Sequence, residues 1–293
     1  MPGFGNLTRI VNLPDANGVA VSKTALFNIP VGPSYHQIML EGTSAGGGQT
    51  TCDLWATSYR LKANGKEFRS GLLTELANLE SPQPATAMAV KPAAGTFVFF
   101  FSDPSRRDIN GEKILCLGTS DLQTLTLEVD IPAGATTPVL AAYALVDDIS
   151  RPSGLVTKWS RAVVPIPATG VNRYALSNLS EPVQRFIALT SDPTAVKLYA
   201  NGILLRQFDN KARLDNIQLS RGLIAASASI WPIMFDYDDM AGSVLYPIVL
   251  DDNGQPIKLG NGNWQFLNNP YFEFTMGAAN SFPLYTRTIG PIG

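Results

Sequence analysis

The sequence predicts an all-β chain: two tandem jelly-roll β-sandwiches of about eight strands each, with short helical insertions. Three observations predict it. The chain carries two copies of one pattern, it reads as short strands between turn residues, and it lacks the strand–helix alternation of a parallel sheet. The duplication is clearest in Pro33-Ser34-Tyr35-His36-Gln37-Ile38-Met39-Leu40 and Pro182-Val183-Gln184-Arg185-Phe186-Ile187-Ala188-Leu189, an offset of 182 − 33 = 149 residues. The same offset pairs Leu7-Thr8-Arg9 with Val156-Thr157-Lys158, each opening its own half. Ala63-Asn64-Gly65 returns as Ala200-Asn201-Gly202 at the shorter offset of 200 − 63 = 137, a drift that changes of loop length produce between duplicated domains. The halves are therefore residues 1–152 and 153–293, with Pro152-Ser153-Gly154 as the hinge.

The repeated runs Gln37–Leu40 and Arg185–Leu189 are largely apolar and fit strands buried in a sheet. Asn64-Gly65 and Asn201-Gly202 each follow a strand-like run, and Asn-Gly is the strongest short hairpin signal because both residues tolerate positive φ. After the first hairpin, Leu72, Leu73, Leu76 and Leu79 fall at helical spacing. The matching stretch from Asp209 to Ile217 is more polar, with Leu214 and Ile217 expected inward. This places one helical insertion after the third or fourth strand of each half. Thr96–Phe101 is a continuous apolar run suited to a strand buried on both sides. Ser229–Phe235 takes the equivalent place, and Pro232 there demands an edge or a bulge because it cannot donate to a ladder. Leu125–Ile131 alternates strictly, apolar on one face and polar on the other, and Tyr271–Met276 does the same with a Glu at the same phase.

Composition bounds the function. The 293 residues are 45 % hydrophobic, enough for two cores, but only 16 % charged. With 21 Pro and 25 Gly, that describes a loop-rich β protein whose surface is largely covered by neighbours. Net charge is −2 with no basic run, which argues against direct binding of nucleic acid. Cys52 and Cys116 are the only cysteines, too few for a disulfide framework, and read as buried free thiols. The first residues lack the pattern of a signal peptide, and the longest apolar stretch, Leu223–Phe235, is shorter than a membrane span. Synthesis and folding in a cytoplasm are expected.

No residue constellation points to catalysis. His36, the only histidine, has no nucleophile motif beside it and reads as structural or surface. Gly42-Thr43-Ser44-Ala45-Gly46-Gly47-Gly48 lacks the Lys-Ser/Thr ending of a phosphate loop. There is no metal-ligand spacing of His and Cys. Asp236, Asp238, Asp239, Asp251 and Asp252 are the acidic clusters. Asp251-Asp252-Asn253-Gly254 reads first as a turn, with Asp251 and Asp252 second as weak candidates for a structural Ca²⁺. No other cofactor is expected. The arm Met1–Thr8 has no charged side chain but carries Phe4 and Leu7, so it should order only by docking.

Two tandem jelly rolls with matched insertions resemble the double jelly-roll major capsid proteins of tailless, membrane-containing icosahedral viruses, and most of all the corticovirus-like phage coat proteins. The likeness is carried by Ile29-Pro30-Val31-Gly32-Pro33-Ser34-Tyr35, by the two Asn-Gly hairpins each followed by a helical stretch, and by Lys158-Trp159-Ser160-Arg161 opening the second half. Departures lie in longer insertions at Arg106–Glu112 and Asp251–Asn263. The resemblance implies a non-enzymatic capsid subunit made in the host cytoplasm and located in the virion. Its partners would be two further copies in a pseudo-hexagonal homotrimer, neighbouring capsomers, penton or vertex and minor capsid proteins, and an internal viral membrane. It also puts the N-terminal arm on the inner face, with Phe4 and Leu7 against lipid or a neighbour and Arg9 toward an anionic headgroup. The alternative is a jelly-roll carbohydrate-binding module or a viral spike or fibre, which would display an exposed aromatic platform.

Overall fold

The computed structural model describes residues 8–44, 55–75, 95–102, 116–147, 149–176, 179–220, 228–235, 244–249, 255–261 and 265–292. The first set of strands is β1 (Thr8–Asn12), β2 (Thr24–Ile29), β3 (Ser34–Thr43), β4 (Ser58–Ala63), β5 (Lys66–Leu72), β6 (Thr96–Phe100), β7 (Leu125–Asp130) and β8 (Val139–Asp147). The second is β9 (Leu155–Val164), β10 (Gly170–Ala175), β11 (Val183–Leu189), β12 (Pro193–Ala200), β13 (Ile203–Phe208), β14 (Ile230–Met234), β15 (Tyr271–Met276) and β16 (Phe282–Pro291). A helix, α1 (Lys211–Ser220), follows β13.

The first set pairs in the orders β1-β8-β3-β6 and β2-β7-β4-β5, and the second in the orders β9-β16-β11-β14 and β10-β15-β12-β13. Adding eight to every strand number of the first set gives the second, so each half is a jelly roll with the same interleaved order. The chain divides into two compact units; one change of unit falls inside β9, between Ser160 and Arg161, and another inside β16, between Ile289 and Gly290.

Period-2 alternation builds each core. In the first unit Ala25, Phe27, Ile38, Leu40, Tyr59, Leu61, Phe99, Leu127, Val129 and Ala144 are buried, every second residue of their strands. Phe99 meets Tyr59 edge-on at 4.9 Å, and Phe97 meets Trp55 at 5.7 Å. The Trp55 indole lies so close to Gly42 that a Cβ there would come within 2.2 Å of the ring. In the second unit Phe186, Val196, Leu198, Trp231, Phe272, Phe274 and Leu284 form the equivalent cluster. Burying one such side chain contributes roughly 1.5–3 kcal/mol.

The two Asn-Gly hairpins occupy the same place, each joining the fourth and fifth strand of its unit. Their φ values are 50° and 78° at Asn64-Gly65 and 53° and 74° at Asn201-Gly202, as a type I′ turn requires. Asparagine adds a side-chain function here. Asn64 Oδ1 accepts from the Gln123 and Thr124 amides at 2.8 and 3.2 Å, and Asn201 Oδ1 accepts from Asn268 N at 2.5 Å. Each turn is thereby tied to the segment leading into β7 or β15. The Pro30-Val31-Gly32-Pro33 step is pinned as well: Thr119 Oγ1 accepts from Gly32 N at 2.7 Å and donates to Pro33 O at 2.6 Å. Tyr35 donates to Pro30 O at 2.5 Å, and burial pushes its phenol up to about 12.

Several expectations need correction. The offset between β3 and β11 is 148, not 149. Tyr35 exchanges amide bonds with Leu117 as Val183 does with Leu245, and inward Ile38 and Leu40 match inward Phe186 and Ala188. β6 is an edge strand with only alternate residues buried, whereas all five residues of β14 are buried, with Pro232 on the outermost strand. The helical insertion follows the fifth strand. Its first-half residues 73–75 are helical, while Leu76 and Leu79 lie outside the described residues. In α1, Leu214 points inward as expected, but Ile217 is exposed and Gln218 takes the inward position, one turn on from Leu214. The segment Pro152-Ser153-Gly154 is held locally: Ser153 N and Oγ donate to Asp121 at 2.7 and 2.9 Å, and Gly118 lies where a Cβ would be 2.1 Å from Pro152 O.

Candidate functional site

His36 sits at a bulge in β3, where the register against β8 shifts between Tyr35 and Gln37. It is buried, with Nε2 3.3 Å from Asp147 Oδ2. Asp147, itself buried, also accepts from Ile149 N at 3.2 Å and lies 3.6 Å from Arg151 Nη2. Arg151 Nη1 donates to the Sγ of Cys116, a buried free thiol. The second unit repeats the bulge in β11, between Val183 and Arg185, and puts Gln184 in the place of His36. Phe101 N bonds His36 O and Phe235 N bonds Gln184 O, each at 2.9 Å. A glutamine in the equivalent position gives the histidine a structural role. Among the described residues, no group of three or more His, Cys, Asp or Glu side chains is placed to hold a metal.

The outer faces of the sheets differ in chemistry. On β2-β7-β4-β5, Arg60 forks onto Asp130 at 2.9 and 3.0 Å and reaches Glu128 at 2.8 Å, while Lys62 reaches Glu128 at 2.6 Å. Glu273, at the phase of Glu128, similarly meets Arg173 at 3.3 Å and Lys197 at 3.9 Å. Beside it Tyr199 and Tyr271 stack at 5.0 Å. On β1-β8-β3-β6, by contrast, Ile10 and Val139 are 69 % and 60 % exposed, and the partly buried Met39, Val98, Tyr143 and Leu145 continue the apolar surface.

The carboxylates of the ion-pair array predict an acid response. Hydrogen bonds from Lys62 and Arg60 hold Glu128 below the usual carboxylate range. In Asp130 burial pushes upward, but bonds from Ser58, Thr24 and Arg60 outweigh it and leave the pKa lowered. A carboxylate with a depressed folded pKa contributes stability above its unfolded value, and that stability is lost as pH falls through the folded value. The melting temperature should therefore decline from about pH 4 downward, where unfolded carboxylates titrate. Arg60→Met should make the decline shallower; an unchanged slope would count against this assignment.

The fifth strands of the two sets, β5 and β13, carry a matched pair of arginines. Arg69 lies in β5 opposite Leu61, and Arg206 in β13 opposite Leu198; in both hairpins the register shifts at the next pair. The Arg69 guanidinium lies 4.8 Å from the Phe101 ring centre, and that of Arg206 lies 5.0 Å from Phe235. Phe101 and Phe235 each directly follow the sixth strand of their set. Arg69 is 1 % exposed: its Nε donates to Thr157 O at 2.9 Å, its Nη2 to Thr157 Oγ1, and it stands opposite Trp159 in a parallel bridge with β9. Those residues all lie in the first unit. Arg206 is partly exposed, and its Nη1 donates to Leu205 O at 3.0 Å. Neither arginine stands out in the sequence as a site. The signal that marks them is their spacing, each four residues past the glycine of its Asn-Gly turn.

Of the residues singled out from the sequence, Arg9 is exposed on β1, opposite Val146 of β8. Phe4, Leu7, Asp251, Asp252, Asp236, Asp238, Asp239 and Cys52 lie outside the described residues, as does the insertion Arg106–Glu112.

Comparison with known proteins bears on all of this. Residues 10–147 match the family described as the viral coat protein P2 N-terminal domain. No curated protein sequence matches the chain. Among solved structures, the fold is similar to the major capsid protein P2 of bacteriophage PM2, with a TM-score of 0.80, 16 % identity, and 97 % of this chain and 98 % of that one covered. It is also similar to the PBCV-1 virus capsid, with a TM-score of 0.61, 11 % identity and coverage of 97 % and 93 %. The major capsid protein of Sulfolobus turreted icosahedral virus gives a TM-score of 0.61, 11 % identity and coverage of 97 % and 96 %.

Proposed function

We propose that this chain, whose residues 10–147 belong to the viral coat protein P2 N-terminal domain family, is the major capsid subunit of an icosahedral shell around an internal lipid membrane. The observation that carries this reading is the coat-protein match across the first jelly roll, followed by a second jelly roll with the same strand order. As a viral coat protein its place is the virion capsid; its work is assembly, and the family is a structural one.

The mechanism follows from the duplication. Two similar jelly rolls, residues 1–152 and 153–293, give one chain two similar sets of edges and faces. Three chains then supply six jelly rolls, so a threefold ring presents a pseudo-hexagonal outline that tiles with neighbouring capsomers. Apolar surface such as that around Ile10 and Val139 supplies the drive, at ~25 cal/mol per Å² removed from water. The N-terminal arm, with Phe4 and Leu7, faces inward beside Arg9, toward lipid or a neighbouring subunit. Penton and minor capsid proteins complete the shell, and any Ca²⁺ at Asp251 and Asp252 acts as a structural ion.

Light scattering coupled to size exclusion tests the reading. The expected species has three times the 31.5 kDa mass of the chain at micromolar concentration. A clean monomer under those conditions contradicts it.

A further inference from the structure

We infer that Asn201-Gly202 is a modification site, where the turn converts itself into aspartate and isoaspartate, while its twin at Asn64-Gly65 is guarded by its surroundings. The chemistry lies outside the capsid reading and does not depend on it.

Only the chain and water take part. The Gly202 backbone nitrogen bonds Asn201 Cγ and loses its proton, the side-chain Cγ–N bond breaks, and ammonia leaves. Water then opens the cyclic imide. Attack at Cγ gives aspartate, and attack at the backbone carbonyl carbon reroutes the main chain through the side chain as isoaspartate. Glycine favours the first step because no side chain shields its nitrogen. The closed turn opposes it, since Asn201 must release Oδ1 and swing Cγ onto the Gly202 nitrogen for the ring to close. Hairpins re-form in roughly 1–10 μs, far faster than an amide rearranges, so each site reacts in proportion to its open population.

The two turns share their chemistry and differ in support. Both read Ala-Asn-Gly, both asparagines are exposed, and their φ values are 50° and 53°. Asn64 N bonds Thr124 O as Asn201 N bonds Asn268 O, each at 2.9 Å. The side chains are held unequally. Asn64 Oδ1 accepts from two amides, those of Gln123 and Thr124, whereas among the described residues Asn201 Oδ1 accepts from Asn268 N alone. Past the first turn, the bulge residue Phe68 is buried, and Arg69 beside it bonds Thr157 on another strand. Past the second, Ile203 and Leu204 are 64 % and 42 % exposed and the bulge residue Leu205 is only partly buried. Arg206 there bonds Leu205 O within its own strand. Opening the first hairpin therefore gives up an extra Oδ1 bond, a buried ring and a bond from a charged donor. The extra Oδ1 bond alone changes the open population roughly five- to tenfold. The product matters for the second unit. Aspartate is accepted in such a turn, but isoaspartate lengthens the main chain inside it and uncouples β13 from β12.

Peptide mapping by mass spectrometry of the full chain, incubated folded in mildly alkaline buffer, tests this. A second sample unfolded in urea gives the intrinsic rate of each Ala-Asn-Gly. Relative to those intrinsic rates, folded Asn201 should convert at least about tenfold faster than folded Asn64. The aged protein should carry isoaspartate at position 201 and melt at a lower temperature than fresh protein. Equal or reversed rates in the folded chain overturn the proposal. So does an Asn201 that stays intact over the time in which the unfolded chain converts.

Discussion

Arg69→Ala should destabilise the first unit by about 3–5 kcal/mol, lowering its melting temperature by roughly 10 °C. Arg69 is 1 % exposed and fills the space between β5 and β9, with its guanidinium 4.8 Å from the Phe101 ring centre. Removing it opens a cavity and leaves Thr157 O, which accepts from Nε at 2.9 Å, without that bond in a buried place. Arg69→Lys keeps the charge but not the planar fork, so it should recover only part of the loss. Calorimetry of the three proteins reads this directly. A loss below ~1 kcal/mol, as for a surface residue, would show that the contact with β9 is incidental.

Phe272→Ala should cost about 3–5 kcal/mol in the second unit. Phe272 is fully buried on β15, meets Phe186 edge-on at 5.0 Å and lies 5.3 Å from Phe274. The next residue back, Tyr271, faces the other side of the same strand, stacked on Tyr199. Tyr271→Ala should therefore cost far less, about 1 kcal/mol, the scale of an aromatic cross-strand pair. Urea denaturation of both variants measures the contrast, and equal losses would contradict the inward and outward assignment of β15.

The architecture was legible because its signals are local. Strict alternation in Leu125–Asp130 and Tyr271–Met276 fixed which side of each strand is buried, and Asn-Gly fixed two hairpins. What was not legible depended on distant partners. Matching Pro33 with Pro182 aligns the two repeats one residue off, and only the shared bulges at His36 and Gln184, visible against β8 and β16, set the true register. In α1, Ile217 looked inward by hydropathy, but one turn on from Leu214 the buried position belongs to Gln218. The arginine pair was hidden for a different reason. A lone Arg in a strand reads as solvent-facing, and only the Phe that follows the sixth strand in each half reveals the ring it lies over.

The most direct test of the account is electron microscopy of particles assembled from this chain. The account predicts an icosahedral shell of pseudo-hexagonal capsomers, each containing three copies and six jelly rolls, around a lipid bilayer. Capsomers with a copy number other than three, or a protein that forms no shell and remains monomeric, would contradict it.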